Sequence, residues 1–88
     1  MDFGMLWYDD DSRRGLDEKV ARAAAHYRSK YGMMPNVCFV HPTMLGDGVE
    51  AAGGLPLQPS QMVMVNHFWL GVDDLASHGL RAAGRRPN

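Results

Sequence analysis

The residues with the most chemical capacity in this sequence are its histidines, its single cysteine and a run of three aspartates. His41 closes the apolar run Val37-Cys-Phe-Val40 and is followed by Pro42, while His67 opens the run Phe68-Trp-Leu70. The carboxyl end of a parallel strand is where open α/β sheets place ligands, so His41 stands at a favoured position. Asp9, Asp10 and Asp11 follow another apolar run, and clustered carboxylates suit a divalent cation. Asp9, Asp11, His41 and His67 are therefore the polar site candidates, and a small metal-dependent enzyme using His41 and His67 is one reading. The spacing argues against it. Cys38 and His41 are an odd number apart and project to opposite faces of a regular strand. No Cys-x-x-Cys or His-x-x-x-His pair is present. Three aspartates after a strand also make an ordinary turn, with negative charge near the N-terminus of the next helix.

Other chemistries find less support. Cys38 lies inside a buried-looking strand, where cysteine behaves as a small hydrophobe. No Gly-x-Ser-x-Gly elbow surrounds any serine, and no glycine cluster leads into a helix as a phosphate loop does. The residues favour a protein that is not an enzyme, with no catalytic residue, metal or cofactor to assign. A basic series, Arg13, Arg14, Lys19, Arg22 and Lys30, offers an alternative as a nucleic-acid-associated accessory protein tracking phosphates. A net charge of −1 and a pI near 6.4 weigh against that reading.

The elements that position these residues begin with a helix. At 100° per residue, Leu16, Val20, Ala23, Ala24, Tyr27 and Tyr31 form one stripe over residues 15–31. Gly32 fits a left-handed C-cap and Pro35 prevents resumption. Asp11, Ser12 or Gly15 is the candidate N-cap, and His26 falls on the outer side. Residues 3–8 and 36–41 read as strands, the second apolar on both faces: Val37 and Phe39 on one, Cys38 and Val40 on the other. Strand, helix, strand with short connections predicts a parallel crossover pair. Residues 42–60 hold four glycines and three prolines and read as loop, with one helical turn at 42–45 and a short edge strand at 55–57. Residues 61–72 read as a continuous strand. Met62, Met64, Phe68 and Leu70 then share one face, with Val63, Val65, His67 and Trp69 on the other; Asn66 marks a bulge or bend. Asp73-Asp74 suits a helix cap, and residues 78–88 read as a flexible tail.

Eighty-eight residues bound the chain to one small domain, spanning 1–77. A single cysteine excludes an internal disulfide, no apolar run reaches membrane-spanning length, and the N-terminus lacks a signal pattern. The expected location is the cytoplasm. One helix covers only one face of a sheet whose central strand is apolar on both. The second face needs its own cover, supplied by the loop, the tail or a second copy. Met64, Val65, Phe68 and Trp69 are the expected interaction surface, and a homodimer through the uncovered face or a strand edge is the expected assembly.

The segments Met5-Leu-Trp-Tyr-Asp9, Tyr27-Arg-Ser-Lys-Tyr-Gly32, Phe39-Val-His-Pro42 and Asn66-His-Phe-Trp-Leu-Gly71 resemble parts of small uncharacterised bacterial α/β proteins. The resemblance covers most of residues 5–72 and implies no activity or cofactor. It does imply a strand at 54–58, a connection at 59–65 and a strand at 66–71, in competition with the continuous 61–72 strand.

The reading is thus a single α/β domain, with α+β as the neighbouring class, ordered β-α-β-β(-β) with one long amphipathic helix on one sheet face. Its expected function is non-enzymatic binding or assembly, with itself or another protein as partner, nucleic acid as the alternative and no membrane.

Overall fold

The helical stripe forms as its spacing demands. In the computed structural model, which describes residues 4–72, α1 runs Leu16–Tyr31. Gly15 is its N-cap in extended conformation, and Asp17 and Glu18 occupy the first turn, where the helix dipole favours negative charge. Gly32 ends it at φ 78°, its N–H donating to the Arg28 carbonyl at 2.8 Å. Val20, Ala23, Ala24 and Tyr27 are buried, and Leu16 and Tyr31 pack against the same core. Lys19, outside the predicted stripe, is buried as well.

Beneath α1 lies a five-stranded sheet of β1 (Gly4–Tyr8), β2 (Val37–Val40), β3 (Ala51–Ala52), β4 (Leu55–Pro59) and β5 (His67–Gly71). The spatial order is β1-β5-β2-β4-β3. β5 is antiparallel to both β1 and β2, so those two run in the same direction, as expected of a crossover pair. They are not neighbours, however, because β5 is inserted between them. β4 is parallel to β2, and β3 forms a hairpin with β4. The architecture is one helix on a mixed sheet in a single small α/β domain.

Two expected boundaries are corrected. Residues 42–60 hold the expected helical turn, at Pro42–Met44, and the expected strand at 55–57, but β4 runs on to Pro59 and lies between β2 and β3 rather than at the edge, and β3 was not expected. Residues 61–72 are not one strand. Asn66 sits at φ 68°, a left-handed conformation that interrupts an extended chain. Before it the chain turns twice, Val63 N–H donating to the Ser60 carbonyl and His67 N–H to that of Met64. The result is a connection followed by β5. The 73–77 helix cap, the 78–88 tail and Phe3 lie outside the described residues.

The β3–β4 hairpin is anchored by its turn. Gly53 and Gly54, at φ 58° and 82°, make the two-residue connection between paired Ala52 and Leu55. Gly53 N–H donates to Asp17 Oδ1 at 2.9 Å, and a Cβ on Gly53 would stand 2.6 Å from the Ala21 nitrogen. The turn thus rests directly on the helix backbone.

Strand parity now sorts the side chains. Met5, Cys38, Val40, Leu57, Phe68 and Leu70 point under α1 and form the core with it. The alternate residues face away from the helix.

Candidate functional site

The sheet face opposite α1 carries Leu6 and Tyr8 from β1, Phe39 from β2, and His67 and Trp69 from β5. Register places Leu6 beside Trp69, Trp69 beside Phe39, and Tyr8 beside His67, so four aromatic rings or imidazoles and a leucine adjoin in two rows. The Tyr8 and His67 rings lie 4.8 Å apart. Residues 60–64 form a lip along one side, and between lip and sheet runs a groove of about 480 Å³ floored by Leu6, Phe39 and Trp69. Exposure on this side is high: Leu6 and Tyr8 are each 56% exposed, Met64 68% and Met62 92%. Val65 beyond the lip is also exposed, whereas Val37, at the far end of the same face, is buried. None of the eight groove-lining residues carries a carboxylate, ammonium or guanidinium group.

The lip is positioned by backbone bonds at both ends. Ser60 N–H donates to the Val40 carbonyl at 2.8 Å, continuing β4 alongside β2. At the other end Asn66 N–H reaches Met44 Sδ at 3.1 Å, and the Asn66 carbonyl accepts from Asp9 N–H at 3.0 Å. The lip's methionines therefore project from a segment held at each end.

Of the residues expected on the interaction surface, Trp69 and Met64 line the groove, and Val65 is exposed in the connection that follows the lip. Phe68 is a correction: it is fully buried beneath α1. The broken strand explains it, because the alternation that tied Phe68 to Met62 and Met64 does not pass through Asn66. Leu6, Tyr8, Phe39 and Met62 were not singled out by the sequence reading. The alternation Gly4/Leu6/Tyr8 against Met5/Trp7 was the available signal for the first two.

The polar candidates are occupied with structure. Asp9 is buried, and its Oδ1 accepts from Asp11 N–H at 3.0 Å. Both Asp11 oxygens are taken: Oδ1 by Arg13 N–H and Nε, Oδ2 by guanidinium nitrogens of Arg13 and Arg14. The Arg13 bonds, side chain first, hold the Asp11 carboxyl below its ordinary range. His41 caps the Pro42–Met44 turn, its Nδ1 accepting from Thr43 N–H at 3.2 Å and lying 2.8 Å from the Thr43 hydroxyl. Nδ1 is thus the unprotonated nitrogen, and the His-Pro pair is a cap followed by a turn starter. His67 differs: its Nδ1 lies 3.0 Å from the Val65 carbonyl, which can only accept, so that nitrogen donates. Among the described residues no three His, Cys, Asp or Glu side chains converge on a possible metal position. Cys38 is buried under α1, and desolvation pushes its thiol up to about 12, far from a usable nucleophile.

The basic series does not make one free stripe. Arg13 is bound by Asp11; Arg14 by Asp11 at 3.0 Å, with Asp9 and Glu18 each at 3.6 Å; Lys19 is buried. Arg22 and Lys30 are exposed, the latter 5.4 Å from the Tyr31 ring centre. A phosphate at the helix start would have to displace Asp11. No described helix is long and apolar enough to cross a membrane.

Comparison of the chain with protein-family models, with curated proteins and with solved structures finds no match.

Proposed function

We propose that this is a non-enzymatic binding and assembly protein that self-associates through the sheet face opposite α1. The observation that carries the reading is the apolar groove between Leu6, Phe39 and Trp69 and the methionine lip. Contiguous apolar surface of this kind marks association sites, because water contact with it is unfavourable in proportion to its area. The absence of carboxylate, ammonium and guanidinium groups from the groove lining favours a copy of the same surface, since none of these charges meets its like across a two-fold axis. Methionine adds polarizable side chains that adjust to a partner at low cost.

Light scattering on size-fractionated protein, from about 1 to 500 μM, tests the reading through mass action. A mass that rises above the single-chain 9.8 kDa with concentration, and falls in a Met62→Asp/Met64→Asp variant, is the expected result. A mass of 9.8 kDa throughout the range would overturn it.

A further inference from the structure

We infer that β1 is a second self-pairing surface, and that two copies join β1 to β1′ antiparallel before their open faces close on another pair. The inference rests on the self-association proposed above and adds a contact that reading does not require.

The strand's own hydrogen bonding shows which groups are free. Asp9 N–H donates to the Asn66 carbonyl of the β5 side, and residues alternate in an extended strand. Met5 and Trp7 therefore turn their backbone N–H and C=O groups toward β5. Gly4, Leu6 and Tyr8 turn theirs outward. The Leu70 carbonyl, 2.6 Å from a Cβ built on Gly4, points toward β1 and fits the same assignment. Among the described residues β1 has β5 as its one neighbour, and no group pairs with the outward N–H of Leu6 or Tyr8. The Gly4 carbonyl takes a long contact of 3.4 Å from the Tyr31 hydroxyl, leaving a second lone pair available.

Edges of this kind are normally blunted by shortness, proline, charge or a bulge. The opposite edge follows that rule: β3 has two residues and ends in the Gly53-Gly54 turn. β1 has five residues, Gly-Met-Leu-Trp-Tyr, without charge or proline. A two-fold axis at Leu6 sets Leu6 against Leu6 of the second copy, and Gly4 against Tyr8 of the second copy. All three outward residues then exchange both bonds. The bulky Tyr8 ring meets the one position in β1 without a side chain, so the pairing is complementary in size as well as in hydrogen bonding.

Area supplies the reason for the pairing. Four strands at ~4.8 Å spacing and five residues at ~3.3 Å give an open face of roughly 300 Å² in projection. Stable interfaces take about 800 Å² of accessible surface from each partner, and joining two faces adds to what a single face and its lip supply. Joining two copies through β1 makes the sheet continuous and doubles the apolar face. Two joined pairs packed face to face form a closed assembly of four chains with dihedral symmetry.

Amide hydrogen exchange by NMR on the full-length wild-type chain tests the edge directly. At a concentration where light scattering shows association, Leu6 and Tyr8 amides are expected to exchange within about tenfold of the inward Trp7 amide. On dilution they lose that protection while Trp7 keeps it. The Met62→Asp/Met64→Asp variant is expected to fall to pairs and retain protection at Leu6 and Tyr8. Free exchange at both amides in an associated sample, or a variant that falls to single chains, overturns the edge pairing while leaving the open-face reading intact. A wild-type chain that stays single at all concentrations overturns both.

Discussion

The indole of Trp69 lies flat enough against Gly4 that a Cβ there would stand 3.0 Å from Trp69 Cε2 and 3.1 Å from Cζ2. The same atom would be 2.6 Å from the Leu70 carbonyl oxygen, which belongs to the backbone and cannot step aside. Gly4 thus gives the groove its aromatic floor by having no side chain. Gly4→Ala is expected to destabilise the fold by about 1–3 kcal/mol, the usual range for overpacking, and to move Trp69. Urea unfolding with a comparison of native tryptophan emission checks both. An unchanged midpoint and spectrum would show that Trp69 does not depend on the gap.

Gly53 and Gly54 separate two costs that usually travel together. Both have positive φ, and nothing lies within 4 Å of a Cβ on Gly54, whereas one on Gly53 meets the nitrogen of Ala21 and the carbonyl of Asp17. Gly54→Ala should therefore cost only the left-handed backbone penalty, about 1–2 kcal/mol. Gly53→Ala adds a collision with the helix backbone and is expected to cost roughly 2–4 kcal/mol. Equal losses in denaturant unfolding would mean that the hairpin turn does not bear on α1.

The helix was legible because its signal is local: a six-residue stripe, a glycine stop and a proline. The two-sided apolar pattern of Val37–Val40 likewise gave a central strand, and Cys38 and Val40 do face the helix while Phe39 faces away. Strand order was not legible, since the pattern of β2 is satisfied by either β1 or β5 as neighbour. The position of Phe68 failed for a single reason. Period-two counting carries across a segment only while the backbone stays extended, and Asn66 at φ 68° resets it. Asn66 had been noted as a bend, but a bend alone does not reveal a turn-forming lip.

Cys38 gives the fold an alkaline limit. Its thiol is raised to about 12 by desolvation, against roughly 8.5 in an unfolded chain. Below the unfolded value both states hold the proton and the contribution is fully present. As pH rises from there toward the folded value, the unfolded chain releases a proton that the folded one retains, and stability falls by about 1.4 kcal/mol per pH unit. Urea unfolding between about pH 7 and 10 should show this slope in the wild-type chain and lose it in Cys38→Ala, whose baseline stability is lower from the cavity. Burial also raises Tyr27, so its effect has the same sign and enters above its ordinary range near 10. Matching slopes in the two proteins would assign the alkaline loss to another group.

Phe68 and Met62 provide the sharpest contrast between holding the fold and presenting a surface. Phe68 is 0% exposed beneath α1, and Met62 is 92% exposed on the lip. Phe68→Ala removes a buried ring and leaves a cavity, with an expected loss of about 3–5 kcal/mol in unfolding free energy. Met62→Ala should change that quantity by no more than about 0.5 kcal/mol, as for other surface substitutions. Its effect belongs to assembly: removing apolar surface from the lip weakens the open-face contact and raises the concentration at which association appears. Denaturant unfolding at a concentration below association, paired with light scattering above it, separates the two effects. A Met62→Ala chain that loses several kcal/mol as an isolated protein would place the lip inside the folding core and remove it from the interaction surface.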